Sequence, residues 1–270
     1  MKDKMPSGSV EEIRQFLQAH EEEVRSAPEE ILQALAADPR KSVQALGLRI
    51  QKEREKRNRE IQRVKALYTF DEAFGKRVAG VDEVGRGPLA GPIVAAAVML
   101  PPGSELEDLI LGINDSKKLS KKMREELDEI IREKALTYAI YEMSNLDIDR
   151  LGIGYCNQEV FRGALRSLSV APQLVLSDGY PVKDYPGENL SVIKGDTQSA
   201  AIACASIIAK VHRDRLMENL HQYYPQYGFD HNAGYGSPDH VAALKAHGPT
   251  PLHRMSFLRG ILGDGDSSNE

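Results

Sequence analysis

The chain has 270 residues, a formal net charge of -5, 41% hydrophobic and 28% charged residues, and 2 cysteines. That length holds one large domain and a small one with an ample core, and no apolar run is long enough to span a membrane. Met1-Lys2-Asp3-Lys4 lacks the apolar core of a signal peptide. The negative balance gives no global attraction to nucleic acid, so such a partner must be held by a local basic patch. Cys156 and Cys204 sit in apolar helical patterns without C-x-x-C spacing, which points to reduced, buried thiols and a cytoplasmic protein.

Residues 1–70 read as a small, all-helical region. Ser9-Val10-Glu11-Glu12 resembles a capping box, and Ile13, Phe16 and Leu17 follow at helical spacing. Pro28-Glu29-Glu30 opens a second helix carrying Ile31, Leu32 and Leu35, which stops at Asp38-Pro39. A third helix is expected from about residue 42 to 68. Its middle is basic, and i,i+4 pairing with Glu53, Glu55 and Glu60 accounts for most of that charge as a solvated face. The excess of base over residues 54–65 leaves room for an arm that contacts phosphates.

From residue 71 to 262 the pattern is α/β. Val78-Ala79-Gly80-Val81 reads as a short buried strand that ends in two acids, Asp82 and Glu83. Gly85-Arg86-Gly87-Pro88-Leu89-Ala90 fits the dinucleotide fingerprint, but Pro88, Pro92 and the apolar run from Ile93 to Leu100 make the context strand, turn, strand. Ser120 caps a helix through Lys134, and residues 137–143 alternate like a strand. A helix over residues 148–168 is interrupted by Gly152 and Gly154. Leu174-Val175-Leu176-Ser177 is a strand ending at Asp178, Ser191-Val192-Ile193-Lys194 is another, and residues 196–199 cap an apolar helix from Ala200 to about Tyr223. The tail, residues 263–270, is polar and acidic and is expected to be disordered.

Asp82, Glu83, Asp178 and Asp196 each stand at the end of a strand or the start of a helix, and such ends converge on one edge of an α/β sheet. Oxygen-only clusters of this kind suit Mg²⁺ or Mn²⁺, not zinc. Two divalent ions would relieve the repulsion among four acids, an arrangement used to hydrolyse phosphodiesters. Taken singly, Asp196 could be only a helix cap, and Asp178 only a turn residue before Gly179.

The motif Val81-Asp82-Glu83-Val84-Gly85-Arg86-Gly87-Pro88-Leu89-Ala90-Gly91-Pro92 resembles the signature of ribonuclease HII. So do Asn114-Asp115-Ser116-Lys117-Lys118-Leu119, Ser177-Asp178-Gly179, Lys194-Gly195-Asp196, Ala205-Ser206-Ile207-Ile208-Ala209-Lys210-Val211-His212-Arg213-Asp214, Asn232-Ala233-Gly234-Tyr235-Gly236 and Pro251-Leu252-His253-Arg254-Met255-Ser256-Phe257. The resemblance implies a ribonuclease H-like mixed sheet flanked by helices. It implies metal-dependent hydrolysis of RNA in RNA/DNA hybrids, with 3′-OH and 5′-phosphate ends. Incision 5′ of a lone ribonucleotide in duplex DNA follows too, and with it a role in removing misincorporated ribonucleotides and RNA primers by a monomer that needs no membrane.

Carried over position by position, the resemblance makes Asp82, Glu83, Asp178 and Asp196 the catalytic metal ligands for two Mn²⁺ or Mg²⁺ ions. Gly85, Arg86 and Gly87 would read the junction, Ser116, Lys117 and Lys118 would lie on the phosphates, and Tyr235 would pack on the deoxyribose after the ribonucleotide. Asp214 would be a supporting acid, or only an ion-pair partner in its helix. The extension of some seventy residues departs from a plain ribonuclease HII, whereas its helical character and Arg86 separate the chain from ribonuclease HIII. Two other classes share parts of the pattern: a hybrid-binding module with vestigial acids, and a junction resolvase or integrase, which would need no 2′-OH.

Overall fold

The structure is a computed structural model and describes residues 8–19 and 29–262. The expected helix opening at Pro28 and the tail from Gly263 lie outside the described residues. The chain divides into two compact units after Arg63. Among the described residues no helix is long and apolar enough to cross a membrane.

In the first unit lie α1 (Val10–Ala19), α2 (Glu29–Ala36) and the first part of α3 (Lys41–Glu72). Their core is Ile13, Leu17, Ile31, Leu35 and Val43, so the helical spacing of apolar residues in the sequence is what packs. The capping box forms as expected: the Ser9 N–H donates to Glu12 Oε2 at 2.6 Å and the Glu12 N–H to Ser9 Oγ at 3.3 Å. On α3, Arg49 pairs with Glu53 at 2.9 Å and Arg63 with Glu60 at 2.6 Å, and Arg54 reaches Glu29 on α2 at 3.2 Å.

The helix α3 runs four residues past the expected end at Tyr68. Phe70 and Phe74 meet edge to face at 5.5 Å and pack on the second unit's core, and Gly75 then stops the helix with φ +61°. Propensity alone does not show where tertiary burial carries a helix on.

The second unit is built on a five-stranded sheet of order β3-β2-β1-β4-β5, comprising β1 (Val78–Val84), β2 (Ile93–Met99), β3 (Thr137–Met143), β4 (Leu174–Asp178) and β5 (Asn189–Val192). β2 is antiparallel to β1 and β3, whereas β4 is parallel to β1 and β5. Pairing β1 with β4 in the register Val81↔Ser177 brings the next residues, Asp82 and Asp178, side by side at one edge. β2 is buried along its whole length, as a strand covered on both faces must be.

On one face lie α5 (Asn145–Leu151) and α6 (Ile153–Arg166), whose Val160, Phe161 and Ala164 pack on Ala79, Val81 and Ala95. The other face carries α7 (Ala200–His221), after α4 (Lys121–Lys134) has begun at its Ser120 cap. α7 passes so near β1 that a Cβ on Gly80 would fall on the backbone between Ala201 and Ile202. Only glycine allows that approach. Two shorter helices, α8 (Phe229–Asn232) and α9 (Pro238–His247), precede the last, α10 (Met255–Leu262).

Three expectations are corrected. Residues 148–168 are not one interrupted helix: a capping box at Ser144 starts α5 early, Gly152 with φ +82° separates it from α6, and Gly154 lies inside α6. The strand expected at residues 191–194 is β5, two residues earlier, because Lys194 turns left-handed at φ +54°. β1 itself runs through Asp82 and Glu83 to Val84, so both acids belong to the strand and do not follow it.

Candidate active site

Asp82 is buried at the end of β1, where its Oδ1 accepts the Glu83 N–H at 2.8 Å. Burial, then the charges of Glu83 and Asp178, push its carboxyl well above the usual carboxylate range, and hydrogen bonds from the Ser206 hydroxyl and the Glu83 N–H offset only part of this. The Glu83 carboxyl is also raised, by burial and Asp178, against the opposing charges of Arg86 and Lys117. Successive strand residues normally face opposite ways, yet both side chains feel Asp178 here, where the strand gives way to the left-handed Gly85 at φ +88°.

Asp178 ends β4, and its Oδ1 accepts the Gly195 N–H at 2.7 Å. That bond holds the 3-10 turn Gly195–Thr197, which carries Asp196, against the strand end. Burial, Asp178 and Asp115 raise the Asp196 carboxyl, while Lys117 and Lys118 oppose them. Asp196 is not the cap of α7: that task falls to Ser199, whose hydroxyl accepts the Ile202 N–H at 3.2 Å. The four sequence-chosen acids are thus brought to one place.

Among the described residues none of the four makes an ion pair, and no three His, Cys, Asp or Glu side chains already stand close enough to enclose a metal. The donor set is nonetheless all oxygen and partly buried, and the nearby cations offset only part of its charge, which fits hard divalent cations and not zinc.

Beside the acids, residues 85–92 form a loop that leads straight into β2, so no helix follows the apparent dinucleotide motif. Two buried arginines lie beneath it, neither with a carboxylate partner among the described residues. Arg254 donates to the carbonyls of Gly85 (2.6 Å), Arg86 (3.1 Å), Gly91 (3.0 Å) and Pro92 (3.1 Å). Arg213 donates to Pro92 (2.9 Å), Ala90 (3.1 Å) and Ala233 (2.9 Å). Burial lowers them to about 9 and about 10, so both stay charged at neutral pH. A Cβ on Gly85 would strike the Arg213 side chain and lie 2.7 Å from the Pro92 carbonyl, so the loop needs glycine there.

Tyr235 is exposed, and its ring faces Gly87: a Cβ on Gly87 would lie 3.9 Å from it. The Leu89 N–H donates to the Gly234 carbonyl at 2.8 Å, tying the two loops together. Arg86 is exposed and lies over the Tyr180 ring at 5.4 Å. Lys117 and Lys118 are exposed on the 3-10 turn Ser116–Lys118, which Asp115 caps through the Lys117 N–H at 3.0 Å. Ser116, by contrast, is buried and turns its hydroxyl inward to Ser206 Oγ at 2.9 Å. Asp214 pairs with Lys210 at 2.7 Å and with Arg124 at 3.4 Å, and Arg124 donates to the Ser116 and Leu119 carbonyls. Its place in the structure is to hold the lysine-bearing turn.

Tyr180 and Arg124 lie outside the motifs read from sequence, and Ser206, Asp115, Arg213 and Arg254, though within them, were given no role there. A serine inside the apolar run of α7 was a signal for Ser206; a charged arginine gives no sign that it will be wholly buried.

A family model described as Ribonuclease HII matches residues 79–260, and one described as Ribonuclease HII N-terminal domain matches residues 9–75. The chain belongs to the ribonuclease HII family. It is 59% identical over 235 residues to ribonuclease HII of Clostridium perfringens, covering 86% of each chain. With ribonuclease HII of Clostridium acetobutylicum it shares 54% over 257 residues, 94% of this chain and 100% of the relative. Among solved structures, ribonuclease H2 from Pyrococcus horikoshii OT3 superposes with a TM-score of 0.59 at 30% identity, over 69% of this chain and 97% of that one. The chain is therefore a ribonuclease, a hydrolase of the family that acts on the RNA of RNA/DNA hybrids. The helical extension, a departure from a plain ribonuclease HII by sequence, is matched by the family's own N-terminal model.

Proposed function

We propose that this ribonuclease HII incises 5′ of single ribonucleotides in duplex DNA as well as cutting continuous hybrids, leaving 3′-OH and 5′-phosphate ends. The observation that supports this is one edge of the sheet where four carboxylates, none in a contact ion pair among the described residues, adjoin the Gly85-Arg86-Gly87 loop and the Tyr235 ring. Asp82, Glu83, Asp178 and Asp196 would hold two divalent ions, Mg²⁺ or Mn²⁺. When bound, such ions activate the attacking water and stabilise the leaving oxygen.

The protein's own groups do the rest. Lys117 and Lys118 lie toward the phosphates, on a turn fixed by Asp115, Arg124 and Asp214. Metals and carboxylates act at the phosphate and cannot sense the sugar, so choice of ribose falls to the Gly85-Arg86-Gly87 backbone, which can approach the 2′-OH. Tyr235 packs flat on the next sugar, where a 2′-OH would crowd it. Ser116 positions its neighbours through Ser206 and does not offer its hydroxyl to substrate. The residues up to Arg63 act as an accessory helical region. Removal of misincorporated ribonucleotides and RNA primers is the matching role, carried out by a monomer in the cytoplasm, where the buried free thiols Cys156 and Cys204 stay reduced.

The test uses a duplex with one ribonucleotide, an all-DNA duplex and a continuous RNA/DNA hybrid, each with Mg²⁺, Mn²⁺ or EDTA. Cleavage of the first and third alone, with metal alone, is expected, and Asp82→Asn and Asp178→Asn should each abolish it. Activity retained in either variant would falsify the ligand assignment. Tyr235→Ala should lower cleavage at the single ribonucleotide by roughly ten- to a hundredfold, as removing one positioned interaction of about 1–3 kcal/mol does. The loss on the continuous hybrid should be smaller.

A further inference from the structure

Two buried histidines outside the carboxylate site form a hydrogen-bonded chain whose direction can be worked out link by link. His240 lies on α9, and His253 lies in the segment that bridges to Ala90; both are buried almost completely. The Thr250 N–H donates to His253 Nδ1 at 2.9 Å, so that nitrogen bears a lone pair and the neutral ring carries its proton on Nε2. His253 Nε2 lies 3.0 Å from His240 Nε2, which must then accept. His240 is left with its proton on Nδ1, 2.8 Å from the Tyr235 carbonyl, to which it donates. Every link has one allowed direction, and the last acceptor belongs to Tyr235.

The pair is enclosed by rings: Tyr227 is 5.0 Å from His253 and Phe229 is 5.4 Å from His240. No carboxylate pairs with either histidine among the described residues; the Thr250 hydroxyl lies 2.9 Å from His253 Nδ1, as a second donor beside the Thr250 N–H, the Asn145 amide donates to the His253 carbonyl at 3.1 Å, and Arg254 is directed at the 85–92 loop. The far end of the chain is continuous with that same loop, because the Arg254 N–H donates to the Leu89 carbonyl at 2.8 Å and the Gly91 N–H to the Leu252 carbonyl at 2.9 Å. The chain therefore spans from the loop under Gly85-Arg86-Gly87 to the turn that carries Tyr235. The Ser237 N–H also donates to the Tyr235 carbonyl, at 2.8 Å, but from the same turn, so it sets no spacing between the loops.

We propose that His253 and His240 are positioning residues for the choice of the RNA-to-DNA junction: their ordered chain fixes the Tyr235 carbonyl, and hence the ring, at a set distance from Gly87. This rests on the reading of Tyr235 given above. Apolar packing alone would fill the same space, but it would not direct a donor at that carbonyl.

The test compares kcat/KM on the single-ribonucleotide duplex with kcat/KM on the continuous hybrid. His253→Phe keeps a ring and removes both nitrogens; the ratio should fall about tenfold, the effect of removing one positioned hydrogen bond. His253→Gln keeps a donor near the Nε2 position and should restore most of the ratio. In a Tyr235→Ala background His253→Phe should add nothing, because the two act through one interaction with the sugar.

The proposal is overturned if Tyr235→Ala lowers the ratio and His253→Phe does not. It is overturned too if His253→Phe slows both substrates equally, or acts undiminished without Tyr235; the pair then only packs. Should Tyr235→Ala itself leave the ratio unchanged, the junction reading has failed and the positioning role goes with it, which is a separate and recognisable result. If His253→Phe does not fold, His240→Asn, which keeps a donor to Tyr235, is compared with His240→Leu, which has none. Selectivity kept by the first and lost by the second supports the role, and equal selectivity overturns it.

Discussion

At the scale of single residues, the site keeps charge where folding would prefer none. Asp82 is buried beside Glu83 and Asp178, and the hydrogen bonds from the Ser206 hydroxyl and the Glu83 N–H offset only part of that cost. Asp82→Asn should thus do two opposite things: abolish cleavage and stabilise the metal-free protein, by about 2–4 °C in Tm for each kcal/mol of relieved repulsion. Thermal melts in EDTA would show it, and a lower Tm would mean that Asp82 is held by partners stronger than its repulsions. Glu83→Gln should slow cleavage less than Asp82→Asn, because Arg86 and Lys117 already balance part of the Glu83 charge. Single-turnover rates on one substrate compare the two. The acids were legible in sequence because carboxylates at strand ends need a reason. The buried arginines were not, since nothing in the sequence separates an arginine that faces water from one that faces carbonyls.

Among the elements, β1 and its packing against α7 set everything else. The strand could be read from Val78-Ala79-Gly80-Val81, but its length could not: the two acids looked like a terminus and are part of the ladder with β2, paired as Asp82↔Ala96 and Glu83↔Ala95. Likewise the cap of α7 was legible as a cluster over residues 196–199, while its division of labour was not. Ser199 caps, and Asp196 is left to the site because a separate 3-10 turn presents it. Gly80→Ala tests the approach of helix to strand. Its methyl would overlap backbone, which cannot move aside as a side chain can, so a loss of about 2 kcal/mol or more is expected. Urea midpoints at unchanged m-value would report it, and a neutral substitution would mean that α7 can shift away from the strand.

The whole molecule is acidic, so its hold on a polyanion must come from local cations. On α3, Lys52, Lys56 and Arg59 are exposed and make no ion pair among the described residues, unlike Arg49, Arg54 and Arg63. Changing these three to Gln should weaken hybrid binding at low salt with little change in the chemical step. The slope of log affinity against log salt should become shallower by up to about 0.9 for each phosphate no longer neutralised. An unchanged slope would make that face of the helix a solvated surface.

Stability should also carry the mark of the histidine pair. Burial lowers His240 and takes His253 down to about 4, from an unfolded value near 6.5. The contribution of His253 is full above pH 6.5, declines as pH falls because the unfolded chain binds protons first, and is lost as pH falls through about 4; His240 acts in the same direction. The Tm of the unaltered protein should therefore fall more steeply than that of His253→Phe between those two values.

In a trans peptide the carbonyl and the next residue's N–H point opposite ways, and the chain has no cis peptide among the described residues. Arg254 draws the Gly85 and Arg86 carbonyls inward. The amides of Arg86 and Gly87 must then point outward, and neither donates a hydrogen bond within the described structure. A cation that never meets solvent thus sets the polarity of the face above it, leaving two backbone donors turned outward.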